Sequence, residues 1–246
     1  MLKFVKGERA VFIEEISTAV IGELHLGIEH ELYEKGITIP PQRIEFVKRI
    51  KDIVKSTKAK KLVILGDVKH QVPWRSLREE YEIPRFLEEV SEFVEIEIAK
   101  GNHDGKIEEL VPENVKIHGP QGFSIESYGF FHGHAWPSRK LLSCDFLFMA
   151  HLHPSFEFEI GFGLKSVEEV WIKTKLLKEN VKKKYGVHPK GKLDLIIVPA
   201  FNKLLGGANV KKIISEGSNP LMKRKIIDIK SIEIFLLDGT PLGNVV

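Results

Sequence analysis

The chain has 246 residues, of which 43% are hydrophobic and 29% charged, and a formal net charge of +3. That balance excludes a disordered polyelectrolyte or a low-complexity chain, and the length suffices to bury a core without disulfides; the single cysteine, Cys144, could form none within the chain. No apolar run approaches the roughly 20 residues of a membrane span, and the charged start, Met1 to Ala10, lacks a signal-peptide core, so a cytoplasmic protein with no membrane association is expected.

In chain order, residues 11–16 and 18–21 read as strands. Residues 40–55 read as a helix, with Pro40 and Pro41 at its start, where a missing N–H costs little. The apolar positions Ile44, Val47, Ile50 and Val54 recur there at helical spacing. Residues 61–65 form a short buried strand, 74–93 a helix interrupted near Pro84, and 94–99 a strand rich in β-branched residues. Residues 123–126, 129–131 and 145–149 continue the strand series, now without long helices between them. Strands alternating with helices indicate an α/β core, and the later strands point to a second sheet packed on the first. Residues 170–174, 193–198 and 232–237 read as further strands, 199–202 and 205–207 as loops facing a site, and 181–191 as a polar, basic, exposed excursion. One domain over residues 1–246 is expected, with 165–246 completing the second sheet.

Five apolar runs end in metal-ligand residue types. Ala19-Val20-Ile21-Gly22 leads to Glu23-Leu24-His25. Leu62-Val63-Ile64-Leu65-Gly66 leads to Asp67, with His70 three residues on. Glu97-Ile98-Ala99-Lys100-Gly101 leads to Asn102-His103-Asp104. Tyr128-Gly129-Phe130-Phe131 leads to His132-Gly133-His134, and 145–150 leads to His151-Leu152-His153. Ligands of α/β sheets bind beyond the carboxyl ends of strands, so these distant segments can converge, and Gly22, Gly66 and Gly101 suit sharp turns there. Seven of the ten histidines lie in these segments; any one alone reads as a surface or core residue, but five matching strand ends together do not. A mixed set of carboxylate, amide and imidazole suits Mn, Fe or Zn rather than Ca or Mg alone. The absence of cysteine ligands argues against a structural zinc site. There are enough groups for two ions sharing a carboxylate, the arrangement that clamps phosphoryl oxygens.

Over residues 20–154 these segments resemble the calcineurin-like metallophosphoesterase superfamily, whose motifs run D-x-H, G-D-x-x-[DNH], G-N-H-[DE], a later H, and G-H-x-H. Gly101-Asn102-His103-Asp104 matches in full, and Gly66-Asp67-Val68-Lys69-His70 ends in His, as in SbcD-like nucleases. With Pro199-Ala200-Phe201-Asn202 and the closing Leu237-Asp238-Gly239-Thr240-Pro241-Leu242-Gly243, the layout is similar to archaeal SbcD-related phosphoesterases. The resemblance implies a four-layer α/β/β/α sandwich and two divalent ions, manganese first, with iron, zinc or nickel as alternatives. It implies that Glu23, His25 and His153 hold one ion, that Asn102, His132 and His151 hold the other, and that Asp67 bridges them. His103 would protonate the leaving group, Asp104 would orient His103, and His70 and His134 would line the substrate side. The chain departs from the pattern at Glu23, where the family has Asp, and at Ala150, where it has Gly; alanine fits a negative φ.

The implied activity is hydrolysis of a phosphoester by a metal-bound hydroxide. A phosphodiester, nucleic acid or nucleotide among the candidates, comes first because of His70. The alternatives are a phosphomonoesterase, or a non-catalytic binding module whose first metal site Glu23 weakens. Two basic runs, Lys178 with 182–184 and 223–225, read either as phosphate-backbone contacts or as solvated faces. Trp136, close after His134, is a candidate for the pocket mouth, whereas Trp74 and Trp171 read as packing residues and Cys144 as a small core residue. No protein partner is legible in the sequence.

Overall fold

The computed structural model describes residues 1–217 and 219–244. Strands β1 (Leu2–Phe4), β2 (Ala10–Ile13), β3 (Thr18–Ile21), β4 (Lys61–Ile64), β5 (Glu95–Ala99) and β6 (Lys116–His118) form one sheet in that spatial order. The first three pair antiparallel, and β3 to β6 run parallel. Helices α1 (Ile28–Glu34), α2 (Arg43–Thr57) and α3 (Leu77–Ser91) connect the parallel strands β3, β4 and β5. The second sheet contains β7 (Phe123–Ile125), β8 (Tyr128–Phe131), β9 (Phe146–Met149), β10 (Pro154–Gly161), β11 (Leu164–Lys175), β12 (Asp194–Ile197), β13 (Ala208–Asn209), β14 (Glu233–Leu236) and β15 (Pro241–Asn244). Its order is β13-β10-β11-β12-β9-β8-β7, with β14 on β11 and β15 on β14. Helices α4 (Lys178–Tyr185), α5 (Val210–Glu216) and α6 (Pro220–Lys223) lie in its connections.

Period-two alternation sorts the side chains into three cores. In β4 and the residue after it, Leu62 and Ile64 join Phe46, Ile50, Phe86 and Val90 of α2 and α3, while Val63 and Leu65 face the other sheet. In the second sheet Tyr128, Phe130, Phe148 and Ile196 face inward. Leu147, Met149, Leu195 and Ile197 turn out to meet Val181 of α4, Ile213 of α5 and Leu221 of α6. Strands buried on both faces read as unbroken apolar runs, and the layers are α/β/β/α. Across the sheets, the Phe4 and Trp171 rings lie 4.8 Å apart and those of His118 and Phe123 lie 3.7 Å apart.

Some elements differ from the sequence reading. Helix α2 starts at Arg43, after both prolines, with Gln42 as its N-cap residue. Pro84 lies inside α3 without interrupting it. The proline forfeits a backbone hydrogen bond, a cost of about 3 kcal/mol. Burial of Ile83, Phe86, Leu87 and Val90 on one face offsets that cost, and a Ser76–Glu79 capping box holds the start. The basic excursion at 181–191 begins as the helix α4, because Val181 is buried against the second sheet. Helix α1 and strand β10 escaped the sequence pattern: α1 is one short amphipathic stretch, and β10 alternates Phe and Glu without a long apolar run. Among the described residues no helix is long and apolar enough to cross a membrane.

Phe130, fully buried between Phe123 and Phe148, belongs to the core that joins the sheets. Phe130→Ala is expected to destabilise the protein by about 3–5 kcal/mol in urea unfolding, as deletions of buried aromatics do. Cys144 is buried, and burial pushes its thiol up to about 11. Iodoacetamide at pH 8 is therefore expected to leave the native protein unlabelled and to label it in denaturant.

Candidate metal centre

The site lies where β3, β4, β5, β8 and β9 end. Because β3–β5 are mutually parallel, as are β8 and β9, all their carboxyl ends emerge on one rim of the sandwich. Chain-to-chain bonds close the rim. The Asp67 carbonyl accepts from the backbone N–H groups of Leu24 and His25. His132 Nδ1 meets the Leu65 carbonyl at 2.7 Å, joining the sheets. The loop after β12 braces the first segment: Phe201 and Asn202 N–H groups donate to the Glu23 carbonyl, and Asn202 Nδ2 donates to Leu24 O at 2.7 Å.

His25, Asp67, His151 and His153 all have positive φ, between 42° and 71°. Non-glycine residues hold such conformations only where the surroundings impose them. Of the three rim glycines only Gly66 has a positive φ, +78°. Gly22 and Gly101 instead permit close approach: a Cβ on Gly22 would lie 2.5 Å from the Pro199 carbonyl oxygen, and one on Gly101 would run into the Asp67 carboxylate.

Donor atoms stand in two sets, one on each side of Asp67. In one, His132 Nε2 lies 3.0 Å from Asn102 Oδ1, 3.1 Å from His151 Nδ1 and 3.3 Å from Asp67 Oδ2. In the other, His25 Nε2 lies 3.5 Å from Asp67 Oδ2, and His153 Nε2 lies 3.2 Å from Glu23 Oε1. Asp67, His132 and His151 have mutually close ligand atoms, as do His25, His70 and His103.

The donor chemistry fits cations. Glu23 Oε2 and His25 Nε2 are buried with no hydrogen-bond partner, which is costly unless something else satisfies them. Burial pushes His25 down to about 3 and, with His132⁺ beside it, His151 down to about 4, so both keep a lone pair at neutral pH. Burial alone would raise Glu23, but His153 beside it holds it at about 2; Asp67, buried against His132 and His25, is likewise held below the usual carboxylate range. Burial opposes a charge on His132, yet the facing Asp67 lifts it to about 9. His132 Nε2 lies where four donor atoms converge, the place a metal ion would take.

The remaining predicted residues take these places. His103 donates its backbone N–H to Asp67 Oδ1 at 2.7 Å, and its Nδ1 meets the His70 carbonyl, which leaves Nε2 free. Asp104 does not orient that ring. Its buried carboxylate accepts from the backbone N–H groups of Gly101, Val68 and Lys69 instead, because the turn folds it under the β4 loop. His70 directs Nδ1 at His25 and Nε2 at Glu31. His134 packs beside His132 with ring centroids 5.2 Å apart, and its Nδ1 is buried without a partner. Ala150 is absent from the positive-φ residues, so alanine is unstrained there. Sequence reasoning missed Glu31 and Glu79, and it placed Asn202 in a loop facing the site without giving it a role of its own. Glu79 accepts from the His70 and Gln71 N–H groups at 2.9 and 2.8 Å; its one sequence signal is the capping-box spacing from Ser76.

The profile of the calcineurin-like phosphoesterases matches residues 16–218. The chain belongs to this family. Among solved structures, this phosphoesterase is similar to the nuclease MPE of Pseudomonas putida, with 13% identity and a TM-score of 0.54 over 98% of this chain and 99% of that one. It is also similar to YfcE, a phosphoesterase from E. coli, with 21% identity and a TM-score of 0.37 over 58% of this chain and 74% of that one. The likeness to MPE shows a shared fold over both chains. No curated protein matches.

Gly101→Ala puts a methyl group into the Asp67 carboxylate. It is expected to abolish high-affinity metal binding in calorimetric titration while leaving the far-ultraviolet circular dichroism unchanged.

Proposed function

We propose that this family member is a two-metal phosphodiesterase, with nucleic acid as its favoured substrate. The observation that carries the reading is one buried carboxylate, Asp67, that faces His25 Nε2 on one side and His132 Nε2 on the other and accepts the His103 backbone N–H. Glu23, His25, Asp67 and His153 would hold one ion, and Asp67, Asn102, His132 and His151 the other. When bound, such a pair clamps the phosphoryl oxygens and supplies hydroxide at neutral pH; manganese suits the mixed nitrogen and oxygen donors, with iron, zinc or nickel as alternatives. His103 keeps its Nδ1 proton on the His70 carbonyl and presents Nε2 to carry a proton to the leaving oxygen. His134, kept neutral near pH 7 by burial, would hydrogen-bond the phosphate beside His132.

Support for a polyanionic phosphodiester comes from the two basic runs. They are distant in sequence but adjacent in space: Leu177 N–H donates to Ile226 O, and Asn180 Nδ2 to Lys225 O at 2.7 Å. Lys183, Lys184, Arg224 and Lys225 line one cavity, and none of them is ion-paired among the described residues. The patch abuts the segment that carries His132 and His134, because Tyr185 donates to the Pro137 carbonyl and the Lys184 ammonium sits over the Trp136 ring. The MPE of Pseudomonas putida, similar over its whole length, is a nuclease.

One observation favours the second reading, a binding module with a weakened first site. Glu23 Oε1 already accepts the His151 N–H and faces His153, so Oε2 alone is free for an ion.

Metal-stripped protein supplied with Mn²⁺ is expected to hydrolyse a chromogenic phosphodiester faster than the matching monoester, and His103→Ala is expected to lose about 10²–10⁴-fold. Faster turnover of the monoester would make the chain a phosphomonoesterase. Absence of turnover with both, combined with a large gain in Glu23→Asp, would favour the binding module. Lys183→Glu with Arg224→Glu is expected to weaken oligonucleotide binding and to flatten its salt dependence by about 0.9 in log–log slope per lost phosphate contact.

A further inference from the structure

Next to the ligand His25 runs a chain of side chains that the reaction itself does not use. His25 Nδ1 lies 3.1 Å from His70 Nδ1, and His70 Nε2 lies 2.6 Å from Glu31 Oε2. Glu31 sits in the first turn of α1, and its other oxygen is taken by Lys35. These ion-pair partners and His70 hold the Glu31 carboxyl down at about 2, so it is ionised at neutral pH and can only accept.

Hydrogen-bond chemistry then fixes every proton along the row. Glu31 accepts, so His70 carries its proton on Nε2. With its proton on Nε2, His70 offers the Nδ1 lone pair to His25, which donates from its own Nδ1. His25 Nε2 is thereby left as a lone pair. That is the atom buried without a hydrogen-bond partner and facing Asp67. The opposite assignment would set two imidazole lone pairs against each other across the 3.1 Å between His25 Nδ1 and His70 Nδ1.

We infer that Glu31 and His70 are positioning residues that lock His25 in the tautomer able to bind a cation, so that a surface carboxylate two steps away sets the affinity of the first metal site. The inference rests on the two-ion reading above and deepens it by assigning His70 to the support of His25 rather than to substrate. Metal-bound histidines commonly donate their second nitrogen to a carboxylate, which raises ligand basicity; losing such a partner costs about 10–100-fold in affinity. Here a second imidazole is interposed. Helix α1 makes this reach feasible: Gly27, with φ +101°, turns the chain straight from His25 into α1 and brings Glu31 back over His70. Glu31 is 43% exposed, so water screens part of its effect and the expected loss sits near the lower end of that range.

The test uses the whole protein. Isothermal titration of Mn²⁺ into metal-free wild type, Glu31→Ala, His70→Ala and Glu34→Gln reads the two sites separately. Glu34 lies on the same helix and, among the described residues, pairs only with His30. In Glu31→Ala the weakening of one ion by about 10-fold is expected, in His70→Ala by more, and in Glu34→Gln by nothing, with the second ion unchanged throughout. Nitrogen-15 NMR of the metal-free protein reads the tautomers directly: His25 is expected as Nδ1–H and His70 as Nε2–H, and Glu31→Ala is expected to release the His70 preference. Unchanged affinities in Glu31→Ala, equal weakening of both ions, or an Nε2–H tautomer at His25 would overturn the relay. A wild-type protein that binds no ion would instead remove the two-ion reading, and the tautomers would then decide the relay alone.

Discussion

Asp67 is the group on which the rest of this molecule depends. Its carbonyl ends β3 by accepting from Leu24 and His25, and its Oδ1 captures the His103 N–H from the end of β5. Its Oδ2 faces His25 on one side and His132, from the second sheet, on the other. A single buried carboxylate thus joins three strand ends and both sheets. Removing a partner from a buried charge costs about 3–5 kcal/mol, so the arrangement is cooperative: every neighbour keeps Asp67 ionised, and Asp67 keeps every neighbour in place.

The cooperation explains how the rim tolerates its backbone. His25, Asp67, His151 and His153 sit in the left-handed region, at about 1–3 kcal/mol each. These four residues stand at the mouth of a sandwich whose three cores are apolar. Packing stabilises the sheets, and the sheets hold a loop geometry that the loops alone would not adopt. Close approach of chains without side chains, at Gly22 and Gly101, lets carboxylate and carbonyl groups stand where they do.

Around the candidate ligands stands a ring of polar groups bonded to backbone. Asp104 takes three N–H groups, Glu79 takes those of His70, Gln71 and Ser76, and the Asn202 loop ties down the Glu23 segment. Glu79 also closes the capping box of α3, so a helix start and a metal loop share one side chain. These backbone bonds hold the loops that present the candidate ligands.

Much of this was legible in the sequence, and for a physical reason. Period and composition are local properties: apolar runs of four or five residues mark strands buried on both faces, and ligand-type residues directly after them mark the rim. The strands read at 18–21, 61–65, 94–99, 129–131 and 145–149 stand within one residue of those bounds, and the ligand-type residues after them meet on one rim. Proline at position 84 misled because local propensity was overridden by the burial of one helix face. The orienting role assigned to Asp104 followed adjacency in sequence, whereas the fold turned its carboxylate to the backbone.

By itself, then, the sequence determined the layers, the strand ends and the residue types of the metal centre, since each depends on spacing along the chain. Only the tertiary structure decided that Glu31 reaches His70, that Asn202 braces Glu23, and that two basic runs some forty residues apart share one surface. Those contacts join residues far apart in sequence through short polar side chains, which carry no periodicity, so no pattern along the chain records them until the sheets are packed.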